Sequence, residues 1–250
     1  MIKALIARIK QGYHTYPFPA KPPVMPERFK GRPILHHDKC NQCKACEKIC
    51  PTGAIILKDN KICIDMGKCI FCGSCAEICS AGAIEFSGDY RLAATCRDDL
   101  LVSDKEVKLA QMLNEQSRRI FGRSLKLRQV SAGGCNACEA DTNVLTTLTF
   151  DLARFGIQFV ASPRHSDGIL VTGPVTGNMR LALEKTYDAI PAPKFVIAVG
   201  ACAISGGIYC GHQETNNGIG DIVPVDLYIP GCPPHPYTIL DGLITFLGHH

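Results

Sequence analysis

The chain has 250 residues, a net charge of +4, 46% hydrophobic and 20% charged residues, and 15 cysteines. This describes an ordered globular protein of one large or two modest domains and excludes long disorder. So small a charge gives no argument for nucleic-acid binding, but its distribution is uneven. Residues 1–125 carry 20 Lys+Arg against 13 Asp+Glu, and residues 126–250 carry 7 against 10. A basic first half suits an acidic redox partner or an anionic membrane surface.

Residues 1–30 form an arm. Ile2, Leu5, Ile6 and Ile9 fall at helical spacing with Lys3, Arg8 and Lys10 beside them, which predicts a short amphipathic helix. The stretch after it, with Pro17, Pro19, Pro22, Pro23 and Pro26, is extended. The expectation is an arm docked on a partner. The alternative is a helix at a membrane interface, where so short a segment binds weakly alone.

An internal repeat covers residues 39–84. Lys39-Cys40 through Cys50-Pro51-Thr52-Gly53-Ala54-Ile55 returns 29 positions later as Lys68-Cys69 through Cys79-Ser80-Ala81-Gly82-Ala83-Ile84. The repeat predicts a pseudo-twofold domain over 31–97, each half giving a ligand loop, a short helix and strands. CxxCxxCxxxC is the spacing that holds a cubane iron–sulfur cluster, with three thiolates wrapping one cluster and the fourth reaching the partner cluster. One cluster is therefore assigned to Cys40, Cys43, Cys46 and Cys79, the other to Cys69, Cys72, Cys75 and Cys50. Two zinc sites are the alternative, but zinc sites rarely use this cadence twice with crossed ligands. Ser80 stands where the first repeat has Pro51, which alters hydrogen bonding and leaves the ligands intact.

The N-terminus MIKALIARIKQ lacks the apolar run and cleavage site of a signal peptide. The expectation is therefore a reducing cytoplasm, where thiolates bind metals, with a disulfide scaffold as the alternative. Ser103-Asp104-Lys105-Glu106 is a capping-box signature. It predicts a helix through Ile120 closed by Gly122, within a linker over 98–124.

From residue 125 to 250 the pattern becomes strand–helix alternation. Leu125–Val130, Ile157–Ala161, Ile169–Thr172, Phe195–Val199 and Leu227–Ile229 read as strands; Thr142–Phe155, Asn178–Ile190 and Pro236–Leu247 read as helices. Short apolar runs alternating with helices predict a parallel sheet covered on both faces. The uncharged stretch Phe195–Gly211 is Gly-rich and short for a membrane span. The fold class is thus an α+β ferredoxin-like domain followed by an α/β, flavodoxin-like domain with a parallel sheet. Cys135 and Cys138 follow the first of these strands, Cys202 the fourth and Cys232 the fifth. All four lie beyond strand carboxyl ends, where open parallel sheets place their sites. The glycines around them let backbone approach a cluster.

Gly133-Gly134-Cys135-Asn136-Ala137-Cys138-Glu139-Ala140-Asp141, the stretch from Ser162 to Thr176, Ala198–Gly207 and Tyr228–Pro236 together resemble the small subunit of group 4, energy-converting, membrane-bound NiFe hydrogenases. That family is related to the 20-kDa subunit of respiratory complex I. Residues 1–125 are similar to the ferredoxin-like subunit of the same assemblies, related to the 23-kDa subunit. The resemblance spans nearly the whole chain, as a fusion of two neighbouring subunits. It implies that Cys135, Cys138, Cys202 and Cys232 hold a third 4Fe–4S cluster facing a large subunit that carries the nickel. The complex I subunit characteristically has adjacent cysteines at the first position, whereas two residues separate Cys135 from Cys138, as in hydrogenases.

The implied function is an oxidoreductase subunit passing electrons through three 4Fe–4S clusters between a ferredoxin-like carrier and the NiFe site of a partner. It would sit peripherally on the cytoplasmic face of the membrane with the other subunits of its complex. The alternatives are a complex I-like or nickel-free relative and a free ferredoxin-like carrier. Cys63, Cys96 and Cys210 are expected to be buried small residues. Glu139, with Asp141 at a helix start, is expected to cap and hydrogen-bond around the ligand loop. Arg164 and His165 are candidates for hydrogen bonds to the cluster or an interface, and His235 for an interface.

Overall fold

In the computed structural model, which describes residues 2–12, 14–58, 61–103 and 124–248, the amphipathic pattern at the N-terminus forms helix α1 (Ile2–Gln11). The cysteine repeat then folds as two similar halves. The first runs β1 (Pro33–Leu35), α2 (Ala45–Ile49), β2 (Ile55–Lys58); the second runs β3 (Lys61–Asp65), α3 (Ser74–Glu77), β4 (Ile84–Phe86). Pairing is crossed. β1 pairs antiparallel with β4 and β2 with β3, so each small sheet takes one strand from each half. The short strand β5 (Leu101–Val102) extends the second sheet alongside β3. This is the ferredoxin-like unit that the repeat predicts.

The remaining elements are β6 (Leu125–Ser131), α4 (Ala137–Val144), β7 (Ile157–Phe159), β8 (Gly168–Thr172), α5 (Gly177–Asp188), β9 (Phe195–Val199), α6 (Ala201–Ser205), β10 (Leu227–Ile229) and α7 (Pro236–Leu247). The five strands form one parallel sheet in the order β10-β9-β8-β6-β7. Strands β8 and β9 are buried along their whole length, as central parallel strands must be. Alternate residues feed two cores: Leu170 and Ile197 face α7, while Ile169, Val171 and Val196 face Met66, Leu92 and Leu100 from the first unit. Among the described residues no helix is long and apolar enough to cross a membrane. The helix expected after Ser103 falls on residues 104–123, outside the described residues.

One expectation needs correction. The helix read at Thr142–Phe155 is instead α4, which begins five residues earlier and ends at Val144. Thr146 and Thr147 turn their hydroxyls back onto Asn143 O and Val144 O, and a 3-10 turn over Leu152–Phe155 follows. Threonine side chains that bond local carbonyls favour turns over helix. Part of the Pro-rich arm docks on its own chain. Phe18 is buried, Tyr16 N donates to Thr149 O, and Arg154 Nη2 donates to the carbonyls of Tyr16 and Phe18, both at 2.9 Å. Helix α1 itself buries none of its residues, and Ile2, Leu5, Ile6 and Ile9 are exposed.

The two units are joined at Asp65, Gly67 and Arg97. Arg97 grips the buried Asp65 carboxylate with both guanidinium nitrogens, at 2.8 and 2.7 Å, and Gly67 N donates to the same carboxylate at 2.9 Å. Gly67 O accepts from Ser205 Oγ at 2.9 Å, which ties this turn to α6. A Cβ at residue 67 would fall 2.8 Å from Ile204 Cγ2 and from the Arg97 guanidinium carbon. Segment 90–95 also extends the large sheet: Ala94 and Tyr228 exchange backbone hydrogen bonds at 3.0 and 2.8 Å. Removing one partner of a buried ion pair strands the other charge and costs about 3 kcal/mol. Arg97→Leu should therefore lower the melting temperature of the protein by about 5–10 °C. An unchanged melting curve would show that the junction does not depend on this pair.

Candidate metal centres

The crossed strand pairing of the repeat also crosses its thiols. Cys40 and Cys43 line the loop into α2, Cys46 lies in its first turn, and Cys50 follows that helix. Cys69 and Cys72 occupy the equivalent loop into α3, with Cys75 in its first turn and Cys79 after it. One cavity is lined by Cys69, Cys72, Cys75 and Cys50, so the last cysteine of the first half joins the second loop. In the other group Cys46 is buried, which pushes its thiol up, and the neighbouring charges of Cys79 and Cys40 push it further. Burial dominates in the second group as well: it drives Cys69 to about 12 and Cys75 to about 11, against partial relief from backbone N–H groups.

Backbone donors aim at sulfur at matching positions. Ala54 N donates to Cys50 Sγ at 3.2 Å and Ala83 N to Cys79 Sγ at 3.3 Å, while Phe71 N donates to Cys69 Sγ at 3.3 Å. Such N–H···S bonds favour the more negative state of a thiolate-held centre. Beside these sulfurs the halves differ: Thr52 Oγ1 lies 3.7 Å from Cys50 Sγ, and Ala81 occupies the equivalent place beside Cys79.

The third group forms at the carboxyl edge of the large sheet. Cys135 and Cys138 follow β6, with Cys138 in α4; Cys202 lies in α6 after β9, and Cys232 follows β10. Burial pushes the Cys138 thiol far up and the Cys202 thiol to about 11. The next influences on each are the other cysteines of the group and Glu139, so the four thiols stand together. Glycines shape the cradle: a Cβ at Gly200 would lie 2.6 Å from Cys138 Sγ, and one at Gly207 would lie 2.9 Å from Cys202 Sγ. Gly200 has φ +89°, so a side chain there is also strained. Cys135 and Cys232 are exposed, and the group therefore opens onto the surface.

Glu139 is buried, and its carboxylate accepts from Ser131 Oγ at 2.6 Å and Thr172 Oγ1 at 2.7 Å. These hydroxyls sit at the ends of β6 and β8, so Glu139 pins the start of α4, and with it Cys138, to the sheet. Arg164 and His165 are elsewhere. They form the turn before β8, at the amino end of the strands and away from the thiols, where they line a cavity with Lys126 and Asp167. Proximity in sequence to the third strand conceals that they precede it, whereas the site follows it. His235 is half-buried: it caps α7, accepting from Tyr237 N at 3.2 Å, and packs on Phe29 and Tyr237. Burial lowers its pKa. The expectation of buried spare cysteines fails for Cys96 and Cys210, which are exposed; Cys63 is half-buried on β3.

The donor sets fit iron–sulfur clusters. All are thiols around glycine-lined or N–H-lined spaces. Known proteins with the same sequence features agree. Residues 135–246 match the family of the NADH ubiquinone oxidoreductase 20 Kd subunit, and residues 39–84 match the 4Fe-4S dicluster domain. The chain is 38% identical over 147 residues to a probable membrane-bound hydrogenase subunit of Pyrococcus furiosus, covering 59% of this chain and 88% of that protein. It is 45% identical over 126 residues to formate hydrogenlyase subunit 7 of Escherichia coli, covering 50% and 49%. It is 37% identical over 159 residues to an NADH-quinone oxidoreductase subunit of Bacteroides thetaiotaomicron, covering 59% and 80%.

The fold and the thiol groups thus define an iron–sulfur subunit of an oxidoreductase. The chain belongs to the NADH ubiquinone oxidoreductase 20 Kd subunit family and carries a 4Fe-4S dicluster domain ahead of it. The cradle at Gly200 gives a direct check. Should the third group hold a 4Fe–4S cluster, Gly200→Ala would displace Cys138 and remove about four irons per chain, leaving the EPR signals of the N-terminal repeat unchanged. Full iron content in this variant would mean that Cys138 is not a ligand.

Proposed function

We propose that the chain relays electrons through three 4Fe–4S clusters between a ferredoxin-type carrier and the NiFe site of a hydrogenase-type large subunit. Cys40, Cys43, Cys46 and Cys79 would hold the first cluster, Cys69, Cys72, Cys75 and Cys50 the second, and Cys135, Cys138, Cys202 and Cys232 the third. When bound, such clusters supply one-electron redox chemistry, while the protein sets spacing, potential and insulation. The observation that carries this reading is the arrangement of twelve cysteines into three groups in series. Ile70 and Phe71, between Cys69 and Cys72, line one cavity with Cys232, so the second group borders the third.

In this reading residues 31–97 are the ferredoxin-like domain, with 1–30 as its arm and 98–124 as the link. Residues 125–250 are the flavodoxin-like domain that bears the third cluster. Its open face, with exposed Cys135 and Cys232 beside buried Glu139, is where the large subunit would sit. Peripheral attachment to a membrane complex is supported by the membrane-bound hydrogenase relative and by the exposed apolar and basic α1. The two-residue gap between Cys135 and Cys138 favours hydrogen chemistry over quinone reduction.

Anaerobic analysis should give about twelve irons and twelve sulfides per chain, against about eight if the third site is empty. Cys202→Ala should abolish one EPR signal and spare the other two; loss of all three would contradict the assignment. The co-purifying large subunit should carry two CxxC pairs and bind nickel. A partner without them would favour the nickel-free, complex I-like reading.

A further inference from the structure

The end of the arm crosses the boundary between the second and third thiol groups, and it brings a cation there. Lys44 and Gly73 occupy equivalent positions in the two cysteine repeats, and both have positive φ, +59° and +86°. Left-handed backbone alone therefore does not demand glycine at this place, since a lysine adopts it in the first half. In the second half, the Lys30 side chain lies against this turn. A Cβ on residue 73 would collide with the Lys30 side chain, meeting its Cδ at 2.9 Å and its Nζ at 3.0 Å. The Lys30 stem thus lies across the loop Cys72-Gly73-Ser74 with its ammonium group beside that loop. Lys30 also lines the cavity that Phe71 and Cys232 share, together with Arg28 and Asp141. No carboxylate among the described residues lies within 4.0 Å of its ammonium. Lys44, by contrast, is exposed at the outer loop, where water and salt screen its charge.

We propose that Lys30 is a positioning residue for electron transfer: it holds the reduction potential of the second cluster above that of the first. This rests on the three-cluster reading. Each electron that arrives from the carrier side adds one negative charge to a group of four thiolates, and it leaves again toward the third site. A half-buried ammonium beside the Cys72 loop favours the reduced state at that position. The consequence is directional. An electron on the N-terminal pair rests at the cluster bordering Cys232, the point from which it can continue.

The test is potentiometric EPR titration of the full chain in its purified complex. The second cluster's signal is identified by its loss in Cys72→Ser. Lys30→Met should make reduction of that cluster about tenfold less favourable, a shift of about 60 mV to more negative potential for a one-electron couple. The first cluster should not move, and Lys30→Arg should restore the wild-type value. If Lys30→Met loses iron, Lys30→Gln serves the same comparison. An unshifted second cluster, an equal shift of both, or failure of Lys30→Arg to rescue would overturn the role of Lys30 and leave the three-cluster reading standing. A wild-type protein lacking the two N-terminal signals would overturn both.

Discussion

The buried carboxylate of Asp65 sets how the two halves of this protein meet. It accepts from Gly67 N and from both arms of Arg97, and its own backbone carbonyl accepts from the N–H groups of Lys68 and Cys69. The first contacts fix the turn that touches α6; the last fix the start of the Cys69 loop. Because α6 carries Cys202, one residue couples the position of the second thiol group to that of the third. Gly67 admits no side chain, since Ile204 and Arg97 fill the space. Electron transfer depends on separations held constant to within small tolerances, and a bidentate, largely buried ion pair restricts the junction more than apolar packing alone would.

Around that junction two unrelated architectures meet the same requirement. In the repeat, pseudo-twofold crossing sends the last cysteine of each half to the other half, so neither site forms unless both fold. In the parallel sheet, loops after separate strands converge on one edge. Gly134 and Gly173 let the loops after β6 and β8 touch backbone to backbone, and a Cβ built on Gly134 would lie 3.1 Å from Gly173 Cα. Burial pushes the central thiols of all three groups upward. Empty sites would therefore hold protons, and cluster binding would have to displace them. Neutral thiols packed as small apolar groups and thiolates bound to iron are the two states in which such cysteines are stable.

Much of this is legible in the sequence. The 29-residue repeat carries its own register, so the crossed grouping of Cys50 and Cys79 can be read from spacing. Apolar runs locate the five parallel strands, and the cysteine loops of the third group follow from strand ends. What spacing cannot supply is which end of an element a residue occupies relative to the site. Arg164 and His165 stand near the third strand in sequence yet at its amino end in space. Local side-chain chemistry overrides periodicity in the threonine-rich stretch after Val144, and the docking of Phe18 depends on a distant surface that no local pattern records. Lys30 escapes sequence reasoning for the same reason. Its place beside the Cys72 loop depends on how the arm crosses the repeat, which no local pattern records.

The central claim is that the three cysteine groups form a series in which the second, not the first, adjoins the third. Pulsed EPR on the fully reduced protein measures this directly, through magnetic coupling between paramagnetic clusters in variants lacking one group at a time. With the first cluster removed by Cys43→Ser, the coupling between the remaining two should persist. With the second removed by Cys72→Ser, the first and third should be magnetically isolated. Strong coupling between the first and third clusters in that variant would contradict the order, and with it the role assigned to the Asp65 junction.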